Sequence, residues 1–184
     1  KVYLDLQVAA AESSGNKKLV QKAWQAAGNF YARQGQFILA VESYLNILKH
    51  FDGDESSRDY IIAHGNIGEC YRRMGNPKRA LHYLERERVL AEKYGEPTGI
   101  GQSYRELGYV YLALGDTDKA LECMLKVKPK VRGTPVNYAD LCEALVKVYL
   151  IKGKYQEALA CAAECKYAAE WLGDPYIHTL TWNI

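Results

Sequence analysis

Apolar residues recur along this chain at steps of three and four, punctuated at regular intervals by glycine. The run Ile100, Tyr104, Leu107, Tyr111 and Leu114 is one stripe of an amphipathic helix. Gly115 follows it, and glycine takes the left-handed conformation at a helix end without steric penalty. Asp116 is then placed to cap the next helix, a position held one copy earlier by Asn76-Pro77, with proline preset for a first helical turn. Read this way, the pattern predicts helices over 2–13, 17–34, 37–50, 56–74, 77–94, 97–114 and 117–128, then from Thr134-Pro135 to 152, and over 155–172. Pro129 is expected to end the seventh helix early, and Asp174-Pro175 to start a further one.

The pattern repeats in fixed register. Gly28, Tyr31, Gly35 and Ala40 return 40 residues later as Gly68, Tyr71, Gly75 and Ala80, and again as Gly108, Tyr111, Gly115 and Ala120. A fourth copy, 38 residues on, keeps Tyr149, Gly153 and Ala158 but carries Val146 at the first glycine position. Small side chains at Gly108 and Ala120, on facing helices, let two antiparallel helices approach closely. Each copy is therefore a helix-turn-helix hairpin, and four in register make a repeat protein.

An aromatic, two residues, Leu-Gly, two residues and Tyr, followed by Ala, three residues and a large apolar group, is the tetratricopeptide (TPR) pattern. The chain resembles it as Trp24, Ala27-Gly28, Tyr31, Ala40 and Tyr44, then as His64, Ile67-Gly68, Tyr71, Ala80 and Leu84. The third copy reads Tyr104, Leu107-Gly108, Tyr111, Ala120 and Met124, and the fourth Cys142, Leu145-Val146, Tyr149, Ala158 and Ala162. It departs from the family at Val146, in lacking a proline after the second helix, and in a period of 40 rather than the usual 34. Extra residues of that number add about 9 Å of helix per repeat. Long repeats of this kind resemble those of the Partner-of-Inscuteable adaptors.

The resemblance implies an all-α fold, a right-handed TPR solenoid of antiparallel helix pairs. Residues 1–15 are expected to supply the second helix of an incomplete repeat. Complete repeats should follow at 17–54, 55–95, 96–130 and 134–173, with the start of another at 174–184. Solenoids usually close with polar capping elements. Neither end supplies one, and Tyr3, Leu4, Leu6, Tyr176, Leu180 and Trp182 would be partly bare, which predicts a chain that continues at both ends or self-associates weakly. The absence of a starting methionine predicts a piece of a longer chain.

In TPR stacks the first helix of each hairpin lines a concave surface. Carried over by position, the peptide-binding candidates are Lys22, Gln25, Asn29 and Arg33 from the first repeat and Asn66, Glu69, Arg72 and Arg73 from the second. Gln102, Arg105 and Tyr109 come from the third, where Glu106 also faces inward. Asn and Gln, which both donate and accept, suit the unpaired backbone of an extended peptide. The family's clamp for acidic chaperone tails combines asparagines with lysine and arginine. Its asparagine places match here as Asn29 and Asn66, but Gln25, Gln102 and Glu106 stand at cationic places, which argues against that ligand. The expected function is a protein-interaction scaffold that holds an extended, partly acidic peptide. A structural or oligomerising segment, and a peptide-sensing regulatory domain, stay open as alternatives.

Composition narrows the classes further. A net charge of +2 lacks the basic excess of a phosphate-backbone binder, and no apolar run reaches the roughly 20 residues of a membrane span. Residues 71–93 carry seven Lys/Arg against three Asp/Glu, read as solvated helix surface interrupted by Glu85, Glu87 and Glu92. The five cysteines, odd in number and without framework spacing, point to a reducing cytoplasmic setting. Cys161 and Cys165 lie one helical turn apart, but with Cys70 and Cys142 they read as core thiols, with neither metal nor disulfide. The four histidines (His50, His64, His82 and His178) are scattered, so no enzymatic activity and no cofactor is expected.

One expectation tests the hairpins themselves. Ala80 and Ala120 should sit at helix crossings, so Ala80→Leu and Ala120→Leu should each cost about 1–3 kcal/mol through overpacking. Thermal melts that match the parent would overturn the hairpin assignment.

Overall fold

The computed structural model describes the backbone of residues 2–50, 53–131 and 135–172. Among these residues every regular element is an α-helix: α1 (Val2–Ser13), α2 (Lys17–Arg33), α3 (Phe37–Lys49), α4 (Arg58–Arg73), α5 (Pro77–Tyr94), α6 (Pro97–Ala113), α7 (Thr117–Val131), α8 (Pro135–Ile151) and α9 (Tyr155–Leu172). They fall into two compact units, Lys1–Glu106 and Leu107–Ile184, divided within α6. In the first unit α1 packs on α2, α2 on α3, α3 on α4 and α4 on α5; in the second α7 packs on α8 and α8 on α9.

One turn closes all four hairpins. Gly35, Gly75, Gly115 and Gly153 have φ between 68° and 81°, a region that side chains with a Cβ avoid. The next N–H reaches back to the carbonyl of the repeated tyrosine, at 2.9 Å in each copy: Gln36 to Tyr31, Asn76 to Tyr71, Asp116 to Tyr111 and Lys154 to Tyr149. This is the Schellman arrangement, which satisfies carbonyls that a helix end would otherwise leave bare. The side chains of Asn76 and Asp116 then accept the backbone N–H of Arg79 and Lys119, both at 3.2 Å, and cap α5 and α7. Ser57 holds the cap position of α4, but its side chain makes no capping bond.

Where the paired helices cross, the glycine of one meets the large residue of the other. A Cβ on Gly28 would collide with the Tyr44 ring, one on Gly68 with Leu84, and one on Gly108 with Met124. Ala40, Ala80 and Ala120 are fully buried beside these crossings, and Tyr44, Leu84 and Met124 are buried with them. Val8, Val20, Ile47 and Ile67 extend the core of the first unit; Leu107, Leu141, Leu145 and Val148 belong to that of the second.

Two expectations need correction. Pro129 does not end α7, which runs on to Val131 with the proline inside it. In the last turn proline removes one N–H, and the carbonyl it would have served belongs to the exposed Leu125, where water can replace the bond. Glu87 does not interrupt a solvated surface, because it is fully buried. It occupies the position that Ile47, Val127 and Cys165 hold in the other copies, and its carboxyl fills the space where a Cβ on Gly65 would stand. All five cysteines are free thiols and buried. Cys161 and Cys165 direct Sγ at the carbonyls of Cys142 and Ala139, at 3.8 and 4.0 Å. At the chain start Leu6 is exposed and Leu4 half-buried. The helix expected from Asp174-Pro175, with Tyr176, Leu180 and Trp182, lies outside the described residues.

Neither carboxylate oxygen of Glu87 has a hydrogen-bond partner among the described residues, nor does either ring nitrogen of the buried His64. Burial lifts Glu87 well above the ordinary 4.5, and the Glu106 and Glu96 carboxylates push the same way. Burial also lowers His64 to about 4, with Arg86 reinforcing the shift. The two groups tie stability to pH in opposite directions. The folded chain holds Glu87 protonated, so its contribution is present below pH 4.5 and lost as pH rises towards its folded value. The folded chain holds His64 neutral, so its contribution is present above pH 6.5 and lost as pH falls towards about 4. Glu87→Gln should therefore gain stability over the parent as pH rises from 5 to 8. His64→Phe should abolish a loss on the order of 3 kcal/mol between pH 6.5 and 4. Denaturant melts from about pH 4 to about pH 8 test both, and pH-independent differences would sink the assignment.

Candidate functional site

Three residues near the end of α2 and four of α4 converge beside the turn of the first hairpin. Asn29, Ala32 and Arg33 from α2, Phe37 and Tyr44 from α3, and Asn66, Glu69, Cys70 and Arg73 from α4 line one pocket of ≈ 320 Å³. Five of the eleven residues expected from the sequence meet in it: Asn29, Arg33, Asn66, Glu69 and Arg73.

Two asparagines on its wall are held in place from behind. The Tyr44 hydroxyl donates to Asn29 Oδ1 at 2.8 Å, and Gln102 Nε2 donates to Asn66 Oδ1 at 3.2 Å. With both oxygens engaged, each carboxamide keeps its N–H donors for a ligand. Burial raises the Tyr44 hydroxyl above its usual range, so it remains a donor at neutral pH. Cys70, on the same wall, is pushed up to about 12 by burial and is an inert thiol rather than a nucleophile.

The charges are more committed than a count of residues implies. Glu106 is buried, not groove-facing, and accepts from Arg72 Nε at 2.6 Å and from Arg105 Nε at 3.2 Å. Arg73 reaches Glu69 at 2.7 Å across one helical turn, and its guanidinium lies 6.0 Å from the centre of the Phe37 ring. Arg73 is about half exposed, and such an exposed pair contributes little to stability, so it can be re-formed with a ligand. Arg33 is exposed, with no ion-pair partner among the described residues.

Gln102 reaches the pocket only through Asn66, and Arg72 and Arg105 are held by Glu106, which does not line it. Lys22 is exposed and Gln25 half-buried, both earlier on α2 than the pocket-lining residues. Tyr109 is half-buried on the part of α6 that belongs to the second unit. Sequence reasoning missed Tyr44, Phe37 and Cys70 as wall residues. A signal existed for Tyr44: it carries a hydroxyl at the position where the next copies have Leu84 and Met124.

A tetratricopeptide repeat family model matches residues 20–88 and 59–127, which together span more than half the chain. Among curated proteins, the response regulator aspartate phosphatase E of Bacillus subtilis is 27% identical over 122 residues, covering 66% of this chain and 32% of that protein. The chain thus spans about a third of that relative. The solved structure of BtubC from P. vanneervenii has a TM-score of 0.75 at 20% identity, covering 86% of this chain and 66% of that one. A Rap conjugation gene regulator of plasmid pLS20, solved with a peptide, has a TM-score of 0.74 at 19% identity, covering 88% of this chain and 45% of that one. The glycine crossings, the repeated turns and these matches lead to one conclusion: the chain belongs to the tetratricopeptide repeat family, whose members act in protein–protein interaction.

Proposed function

We infer that this chain is a non-catalytic scaffold that holds an extended, partly acidic peptide segment of a partner protein across α2 and α4. The observation that carries the reading is the pair of back-anchored asparagines, Asn29 and Asn66, flanked by Arg33 and Arg73 in one pocket. Side-chain amides fixed by a buried Tyr44 and a half-buried Gln102 are preorganised donors for peptide carbonyls, and fixing them in advance lowers the entropy lost on binding. Arg33 and Arg73 then take acidic side chains as charge-assisted hydrogen bonds, which orient the peptide as well as attract it. Glu69 shares Arg73 with the ligand and opposes an acidic side chain beside it, so most of the attraction falls to Arg33, which has no ion-pair partner among the described residues. The peptide found in the Rap regulator structure supports a peptide-sized occupant for a fold of this type.

The test is selection from a random peptide library on the parent chain. Selected peptides should be rich in Asp and Glu. Arg33→Glu combined with Arg73→Glu should weaken their binding by at least about tenfold, with helicity and melting temperature nearly unchanged. Lys119→Glu, in the second unit, should leave binding intact. Peptides that bind the double variant as well as the parent, or that lose affinity with Lys119→Glu instead, would move the site elsewhere.

A further inference from the structure

The start of α5 gathers cations that nothing in the hairpin explains. Lys78, Arg79 and His82 line a second pocket of ≈ 370 Å³ with Tyr71 and Tyr83. The two tyrosine rings stack at 5.7 Å between centres with 22° between planes, and the Arg79 guanidinium lies 5.5 Å over the Tyr71 ring. None of the three basic side chains has an ion-pair partner among the described residues.

Comparison of the copies shows that this cluster is not part of the repeat. The places of Lys78, Arg79 and His82 are taken by Ile38, Leu39 and Glu42 in the first copy, Asp118, Lys119 and Glu122 in the third, and Gln156, Glu157 and Ala160 in the fourth. Where the third copy does carry a cation, at Lys119, the cap residue Asp116 pairs with it at 2.8 Å; the second copy has the neutral Asn76 instead. Cations at a helix N-terminus face the positive end of the helix dipole, so an unpaired cluster there is disfavoured unless an anion joins it. Lys119 lies 5.3 Å over Tyr111 as Arg79 lies over Tyr71, but the first and fourth copies close with no cation at any of the three places, so the hairpin does not need them to fold.

We propose that this pocket is a second binding site, separate from the α2–α4 pocket, and that it takes the doubly charged phosphoryl group of a phosphorylated side chain on a partner protein. Lys78 and Arg79 supply the charge and the N–H donors, with Arg79 able to grip two phosphate oxygens at once. The stacked rings of Tyr71 and Tyr83 form an apolar wall for the side chain that carries the phosphate. The cluster is one hairpin wide: among its counterparts in the first and third copies only Lys119 is a cation, and Asp116 pairs with it. A nucleic-acid backbone or an anionic membrane needs a continuous tract of cations, so a single discrete anion fits better.

The proposal is tested on the whole chain by following backbone amide shifts during titration. The probes are phenyl phosphate, phenylacetate, inorganic phosphate and a single-stranded thymidine oligonucleotide. Phenyl phosphate should shift the amides of residues 77–83 saturably and bind at least about tenfold tighter than phenylacetate. Lys78→Glu combined with Arg79→Glu should abolish this while raising the melting temperature, because acidic residues suit the first turn of a helix. Lys78→Gln with Arg79→Gln is the milder variant should the reversal perturb folding, and it too should lose the shifts. Arg33→Glu with Arg73→Glu should leave phenyl phosphate binding unchanged, which separates this site from the peptide pocket. The proposal fails if phenyl phosphate and phenylacetate bind alike, or if shifts persist in both α5 variants. It also fails if inorganic phosphate binds as tightly as phenyl phosphate, which would assign a free anion, or if the oligonucleotide binds more tightly than either.

Discussion

The contact on which the hairpins depend is the meeting of a glycine on one helix with a large side chain on its partner. At Gly28, Gly68 and Gly108 the missing Cβ is the space that Tyr44, Leu84 and Met124 occupy. The sizes are complementary rather than individually fixed. The fourth copy has Val146 where the others have glycine, and Ala162 where the others have a large group. Exchanging which helix carries the bulk keeps the total volume, the kind of change that packed interiors tolerate best. What looks in the sequence like a decayed fourth motif is thus a consistent alternative solution.

The same economy of space shapes the candidate site. Tyr44 fills the gap left by Gly28 and also sends its hydroxyl to Asn29, so a packing residue aims a binding residue. Formal charge is a poor guide to what remains beyond it. Arg72 and Arg105 both belong to the buried Glu106, and Arg73 leans on Glu69. A face that counts as strongly basic by residue type therefore offers mainly Arg33 and the outer part of Arg73.

Helices and turns were legible in the sequence because they rest on local chemistry. Turn glycines, the Asn76 and Asp116 caps and the 3.6-residue stripe each act within a few residues, and outside α7 the observed helix ends lie within two residues of the expected ones. Half of the candidate site was legible for a related reason, since Glu69 and Arg73 stand 40 residues after Asn29 and Arg33, at equivalent places in consecutive copies. What escaped depends on contacts between helices. Nothing adjacent to Glu106 or Glu87 in sequence announces that each is buried. Register did carry the information for Glu87: it stands 40 residues after Ile47, just as Gly65 stands 40 residues after Gln25. Charge type outweighed register in the reading, and register was the stronger constraint.

The carboxyl that fills the Gly65 notch gives the second hairpin a character its neighbours lack. Its core includes a group that prefers water, held there without a hydrogen-bond partner among the described residues. Opening α4 from α5 hydrates that group, whereas opening α2 from α3 exposes the apolar Ile47 at the same place. Cooperative units within a fold open at free energies set by such differences. The α4–α5 pair should therefore open more readily than its apolar contacts alone imply, and the backbone amides around Gly65 are expected to exchange with solvent ahead of those around Gln25. The hairpin with two candidate sites along it is thus the one whose core holds an unsatisfied carboxyl.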